Sequence, residues 1–256
     1  LSLAQNIDAL FFSRNAKLGD EFNRLFNSIF DHAEECMDII RILGKRHAGY
    51  TRQELAEKAK MIPNGGFTKM LKALIGSDFL IKYVPFGSSN REERYKLKDS
   101  FCWFWLHFKE NKNIKQEDYW QHHLKESELT AWRGIAFEEV CLQHIRQIKQ
   151  ALQIGGISSM ESAYIVRGEK DTEGLQIDLI IDRSDDVANL CEMKYSKAPY
   201  TITSSYATHL IQRKEAMEAI FCDKTFLLTY IGSSPLAENE YTDTFPCQVT
   251  LDGLFL

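Results

Sequence analysis

The chain has 256 residues, 44% of them apolar and 26% charged, the composition of a soluble globular protein with one large domain or two ordinary ones. No run approaches the roughly 18 uninterrupted apolar residues of a membrane helix, so no membrane partner is expected. The net charge of −5 is uneven: residues 40–99 hold 13 Lys/Arg against 6 Asp/Glu, a balance of +7, which predicts a basic module joined to an acidic one.

The N-terminus, "LSLAQNIDALFF", begins without Met and lacks the basic flank of a secretory signal. It reads as the cut end of a longer polypeptide. Cys36, Cys102, Cys141, Cys191, Cys222 and Cys247 are scattered with no CxxC, so reduced and mostly buried thiols in a cytoplasmic protein are expected. The histidines form no HExxH or HxH pattern, and His122–His123 reads as a solvated helix face.

Cys36, Ile39, Ile40 and Leu43 recur at helical spacing up to Gly44. Thr51 with Glu54 makes a capping box that opens a second helix. After "MIPNGG", a third helix runs from Phe67 to about Gly76. "FLIKYVP" and "ERYKLKD" are strand-like runs around "FGSSNRE", a hairpin with a mobile tip. This order, over residues 29–100, is that of a winged helix-turn-helix. In a DNA complex Lys69 and Lys72 would lie on the third helix, with Lys82, Arg91, Arg94, Lys96 and Lys98 around the wing. The third helix offers few side chains able to read base edges, so non-specific phosphate attraction and protein docking both stay open.

"SFCWFWLHFKEN" is expected to pack its aromatics between two domains, since a continuous aromatic run covers more than one helix face. A helical connector follows to residue 126. From 127, "LTAWRGIAFEEVCLQHIRQIKQAL" predicts an amphipathic helix ended by Gly155-Gly156. The strand "ESAYIVRG", the polar turn "EKDTEG", the strands "LQIDLIID" and "ANLCEMKYS" around "RSDDV", a helix, the strand "KTFLLTYIG" and "CQVTLDGLFL" follow. The pattern is a mixed α/β domain.

Alternation along a strand puts Glu192 and Lys194 on one face, and a hairpin turn lets Asp178 approach Glu192 there. Two carboxylates beside an ammonium suit Mg²⁺ or Mn²⁺, with the lysine orienting a water for phosphodiester hydrolysis. A cross-strand surface ion pair is the competing reading.

A helix with "FEE", a strand with "QIDLIID", a strand with "CEMK" and then a helix resembles the PD-(D/E)xK nuclease-like superfamily, although Ile177 stands where a proline usually precedes the first acid. The whole chain resembles the C-terminal portion of archaeal and bacterial DEXX-box ATPases, in which a P-loop ATPase is followed by a winged helix and a nuclease-like domain. "ALFFSRNAKLGDEFNRLFNSIFD" is similar to the end of the ATPase lid, making residues 1–28 its remnant. The resemblance implies an α+β or α/β architecture with a restriction-endonuclease-like domain over 127–256. It implies Asp178 and Glu192 as metal ligands, Lys194 as the water-positioning lysine and Glu138 as an outer carboxylate. DNA and the parent chain's ATPase domain are the implied partners. No GxxxxGK[ST] occurs, so no ATP site is expected in this chain. A DNA nuclease and a non-catalytic regulatory module both remain as readings.

Overall fold

Two sets of short apolar strands, one in each half of the sequence, pair into separate sheets. The computed structural model describes residues 1–110, 118–122, 126–166 and 175–255. The chain divides into two compact units, Leu1–Tyr83 with Asn90–Ala131, and Val84–Ser89 with Trp132–Leu256. The turn "EKDTEG", His123 and the connector at 111–117 and 123–125 lie outside the described residues.

In the first unit α1 (Leu3–Ile7) runs into a π-helical turn, Asp8–Phe12, followed by α2 (Glu21–Ile29) and α3 (Ala33–Leu43). β1 (Tyr50–Thr51) leads into α4 (Arg52–Ala59), which opens on a capping box. There the Glu54 amide donates to Thr51 Oγ1 at 3.2 Å and the Thr51 amide donates to Glu54 Oε2 at 2.8 Å. Then come α5 (Gly65–Gly76), β2 (Leu80–Tyr83), β3 (Arg94–Leu97), α6 (Ser100–Phe108) and α7 (Tyr119–His122). The strands form an antiparallel sheet in the order β1-β3-β2. Ile39, Ile40 and Leu43 of α3, Leu55 of α4 and Leu71 and Leu74 of α5 are buried, the apolar stripe expected of amphipathic helices.

The aromatic helix α6, expected to pack its rings between two domains, finds ring partners within this unit. Trp105 stacks on Phe22 with ring centroids 5.7 Å apart, and Phe104 lies 4.7 Å from Phe11. Phe108 meets Trp120 of α7 at 4.8 Å. Buried Asp8 ties the N-terminal turn to α7 by accepting from the amides of Trp120 (2.7 Å) and Gln121 (3.2 Å).

The second unit is built on α8 (Glu126–Gln143) from Trp132 onward, α9 (Ile145–Ala151), β4 (Ser159–Val166), β5 (Leu175–Arg183), β6 (Val187–Lys194), α10 (Ser204–Ile220), β7 (Thr225–Gly232) and β8 (Cys247–Thr250). The single helix expected after residue 127 is two, broken at His144, whose ring lies 2.7 Å from the Val140 carbonyl. The five-stranded sheet runs β4-β5-β6-β7-β8, antiparallel through β6 and parallel from β6 to β8. It is therefore mixed. Ile180, Leu190, Leu228 and Tyr230 pack on one face with Leu210 and Met217 of α10. Leu179, Ile181, Cys191 and Ile231 pack on the other with Phe137, Cys141 and Ile148 of α8 and α9.

Val84–Ser89, which joins the end of the expected strand run "FLIKYVP" to the start of the tip expected at 86–92, groups with this second unit. Phe86 is buried there, its ring 4.7 Å from Phe221, and its amide donates to the Ala163 carbonyl at 2.8 Å. Among the described residues no helix is long and apolar enough to cross a membrane.

Candidate metal centre

Asp178 sits where β5 loses its regular pairing. Ser162 pairs Ile180 and Tyr164 pairs Ile177, so Asp178 and Leu179 together face Ala163 alone. This is a β-bulge, a device that redirects a side chain out of strict alternation. The cores record the break: Ile177 and Ile180 share one face of the sheet, while Leu179 and Ile181 share the other. The simple alternation that sequence spacing predicts for β5 therefore fails at Asp178.

Redirected in this way, Asp178 meets α8. A carboxylate oxygen of Asp178 and one of Glu138 lie within 4.8 Å of each other. Both residues are half-buried, whereas Glu139 is buried, so Glu138 is the carboxylate of the pair that solvent and an ion can reach. Gln176 Nε2 donates to Asp178 Oδ1 at 2.7 Å and leaves Oδ2 for another partner.

Glu192 has different company. On β6 the last ladder pair with β5 is Leu179↔Cys191, so Glu192 lies one residue beyond it. Tyr206 Oη and Lys194 Nζ (2.7 Å) both donate to Glu192 Oε1, and Arg213 Nη1 lies 3.5 Å from Oε2. Lys194 also sits 5.1 Å from the centre of the Tyr206 ring. Burial, and then the adjacent Glu192 charge, hold the Tyr206 phenol far above its usual range, so it remains a donor at any ordinary pH.

The sequence-predicted site residues thus fall into two groups. Glu138 with Asp178 is a hard-oxygen pair; Glu192 with Lys194 is a carboxylate whose two oxygens are already engaged. An oxygen-bound Mg²⁺ at about 2.1 Å from its ligands holds them up to about 4.2 Å apart, a span of the same order as the 4.8 Å within which the first pair lies. Cys141 and Cys191 add no soft ligand. Burial first, and Glu138 after it, push the Cys141 thiol up, and burial does the same to Cys191.

Sequence reasoning missed Tyr206 and Arg213. The available signal was their spacing of seven, two turns along α10, which puts both on one side of the helix.

Of the candidate phosphate contacts in the first unit, Lys69, Lys72 and Arg91 are exposed. Arg94 is 14% exposed and faces Glu54 at 3.7 Å, and Lys96 is buried. Lys82 pairs with Glu93 and Lys98 with Asp78. Lys69 borders a cavity of about 640 Å³ that is lined by Phe30, Met61, Ile62 and Met70 and edged by Asp31 and Glu35. Apolar walls and acidic neighbours make that side of α5 a poor phosphate surface.

No protein-family model and no curated protein matches the chain. Two solved structures are similar to it. The crystal structure of AF1548, a protein of unknown function, is 16% identical with a TM-score of 0.33 and covers 45% of this chain and 64% of that one. The crystal structure of protein VC1899 from Vibrio cholerae is 10% identical with a TM-score of 0.33 and covers 99% of this chain and 54% of that one. The chain therefore spans less than two thirds of the length of either structure.

Proposed function

We propose that the second unit is a PD-(D/E)xK-like, divalent-cation-dependent hydrolase of nucleic-acid phosphodiesters, preceded by a winged helix-turn-helix, the pair being the C-terminal region of a DEXX-box ATPase. The observation that carries this reading is the approach of Glu138 and Asp178 at a bulge, one residue from the ladder end where Glu192 and Lys194 lie. Bulges are over-represented beside active sites, where they re-aim a side chain, as well as at sheet edges. Glu138 and Asp178 would hold Mg²⁺ or Mn²⁺; Glu192, held on the α10 side of the sheet by Tyr206 and Arg213, would join them only by swinging round the strand end on release from those partners. When bound, the ion supplies Lewis acidity and charge neutralisation at the phosphoryl oxygens. Lys194 orients the attacking water by donating to its oxygen, and as an ammonium it stabilises the charge that gathers in the transition state. The winged helix contributes weak phosphate attraction chiefly through Lys72 and Arg91, since Lys69 borders the acid-edged cavity.

Titration of Mn²⁺ into the protein, alone and with a short DNA duplex, tests the reading alongside a plasmid-nicking assay. Wild type takes up the ion and nicks; Asp178→Asn does neither. Absence of uptake by wild type in both titrations sinks the catalytic reading.

A second reading has an observation of its own. Both Glu192 oxygens are engaged by Tyr206, Lys194 and Arg213, as in a structural ion-pair cluster. On this account the unit is a non-catalytic regulatory module, and Asp178→Asn changes stability alone.

A further inference from the structure

Two cations flank a single carboxylate in the Glu192 cluster. Lys194 and Arg213 are 31% and 28% exposed, so a solute can reach both, and their shared anion is the 19% exposed Glu192. One positive charge in this group exceeds what Glu192 can balance. A divalent cation approaching Glu192 here would meet an ammonium at 2.7 Å and a guanidinium at 3.5 Å from the ligand oxygens, a repulsive arrangement. An incoming phosphodiester would meet the opposite: an Arg fork, a Lys ammonium and a phenol O–H, all donors suited to phosphoryl oxygens.

We infer that Arg213 and Tyr206 of α10, together with Lys194, form the phosphate-binding half of the site, which Glu192 fills in the free protein and vacates when a nucleic-acid phosphate arrives. The inference rests on the reading of Glu138 and Asp178 as the cation half. Glu192 then acts as a stand-in anion. A phosphate taking Arg213 and Lys194 frees the carboxylate to turn toward the cation half, so ion and nucleic acid bind with positive coupling, each raising the affinity of the other. Tyr206 and Arg213 are positioning residues for Glu192 as well as contacts for the phosphate.

The test uses the full 256-residue chain, with Lys69→Ala and Lys72→Ala in every variant to strip the contribution of α5. A labelled short DNA duplex is titrated by fluorescence anisotropy in EDTA. Arg213→Met weakens metal-free binding about tenfold, the scale of one charge-assisted hydrogen bond. Glu192→Gln tightens it, because the competing anion is gone. Glu240→Gln, which makes the same charge change at an exposed position, leaves it unchanged. Without DNA, Tyr206→Phe raises Mn²⁺ affinity by loosening Glu192, a change that a structural tyrosine would not produce. Duplex affinities for Arg213→Met and Glu192→Gln that match the Glu240→Gln control overturn the inference. Should Arg213→Met fail to fold, Glu192→Gln still decides, since it preserves shape. Failure of the cation reading looks different: the anisotropy pattern in EDTA persists, while wild type takes up no Mn²⁺ with or without duplex.

Discussion

Asp178 and Glu192 come from neighbouring antiparallel strands, yet their side chains meet different partners. The cause is local. Two residues of β5 oppose one of β4, and the extra residue swings Asp178 out of alternation toward Glu138 on α8. Nothing in "LQIDLIID" announces a bulge, because its apolar residues fit regular alternation and continuous burial equally well. The shared face of Glu192 and Lys194 was legible, since β6 keeps a strict period of two. Lys194 separates catalysis from binding most cleanly. In Lys194→Ala, Glu192 keeps Tyr206 and Arg213, and the Glu138–Asp178 pair loses no ligand. Mn²⁺ affinity, read by calorimetry, should hold or rise, while single-turnover cleavage falls on the order of 100-fold. A parallel loss of ion affinity and cleavage would make Lys194 a structural partner of Glu192.

Among the elements, α4 was the most legible, because a capping box is a pattern of two residues that requires no tertiary context. The division of the later helix at His144 was not, since helical periodicity runs through the break. The α4 cap also sets a pH dependence. Burial favours the neutral form of Glu54, but the Thr51 amide and hydroxyl with Arg94 and Arg46 outweigh it, and the carboxyl titrates below its ordinary value. A folded value below the unfolded one contributes stability above the unfolded value of about 4.3, and this is lost as pH falls through the folded one. Thermal unfolding should therefore show wild type more stable than Glu54→Gln at neutral pH, with the gap narrowing below about pH 4.3. Thr51→Ala, which removes the other half of the box, should cost about 1 kcal/mol. A gap between wild type and Glu54→Gln that is constant with pH would mean the Glu54 charge contributes nothing.

At the scale of the whole molecule, a mixed α/β chain was readable from the order of strands and helices, but the membership of Val84–Ser89 was not. "VPFGSS" has the Pro, Gly and Ser of an exposed turn, and only its environment in the fold separates the two cases. The second unit is consequently discontinuous in sequence: the chain supplies Phe86 more than forty residues before Trp132. Two features make the segment matter to the candidate site. The Phe86 amide donates to the carbonyl of Ala163, the residue opposite the bulge that carries Asp178. Gly87 has φ +70°, and a Cβ there would stand 2.4 Å from Phe221 Cζ, so only glycine fits without strain or displacement. Gly87→Ala should push the loop off the second unit, lower its unfolding temperature and loosen the Glu138–Asp178 pair, seen as weaker Mn²⁺ uptake. Phe86→Ala should cost about 3 kcal/mol through the cavity left among Tyr164, Phe221 and Phe226. Gly76→Ala, at a position where a Cβ meets nothing within 4 Å, is the control and should be neutral or mildly stabilising. The same reasoning predicts that a fragment beginning at residue 126 is less stable than the second unit in the full chain, because it lacks Phe86. An equal unfolding temperature for fragment and full-length unit would mean that the loop is dispensable and that the bulge holds Asp178 by its own strand pairing.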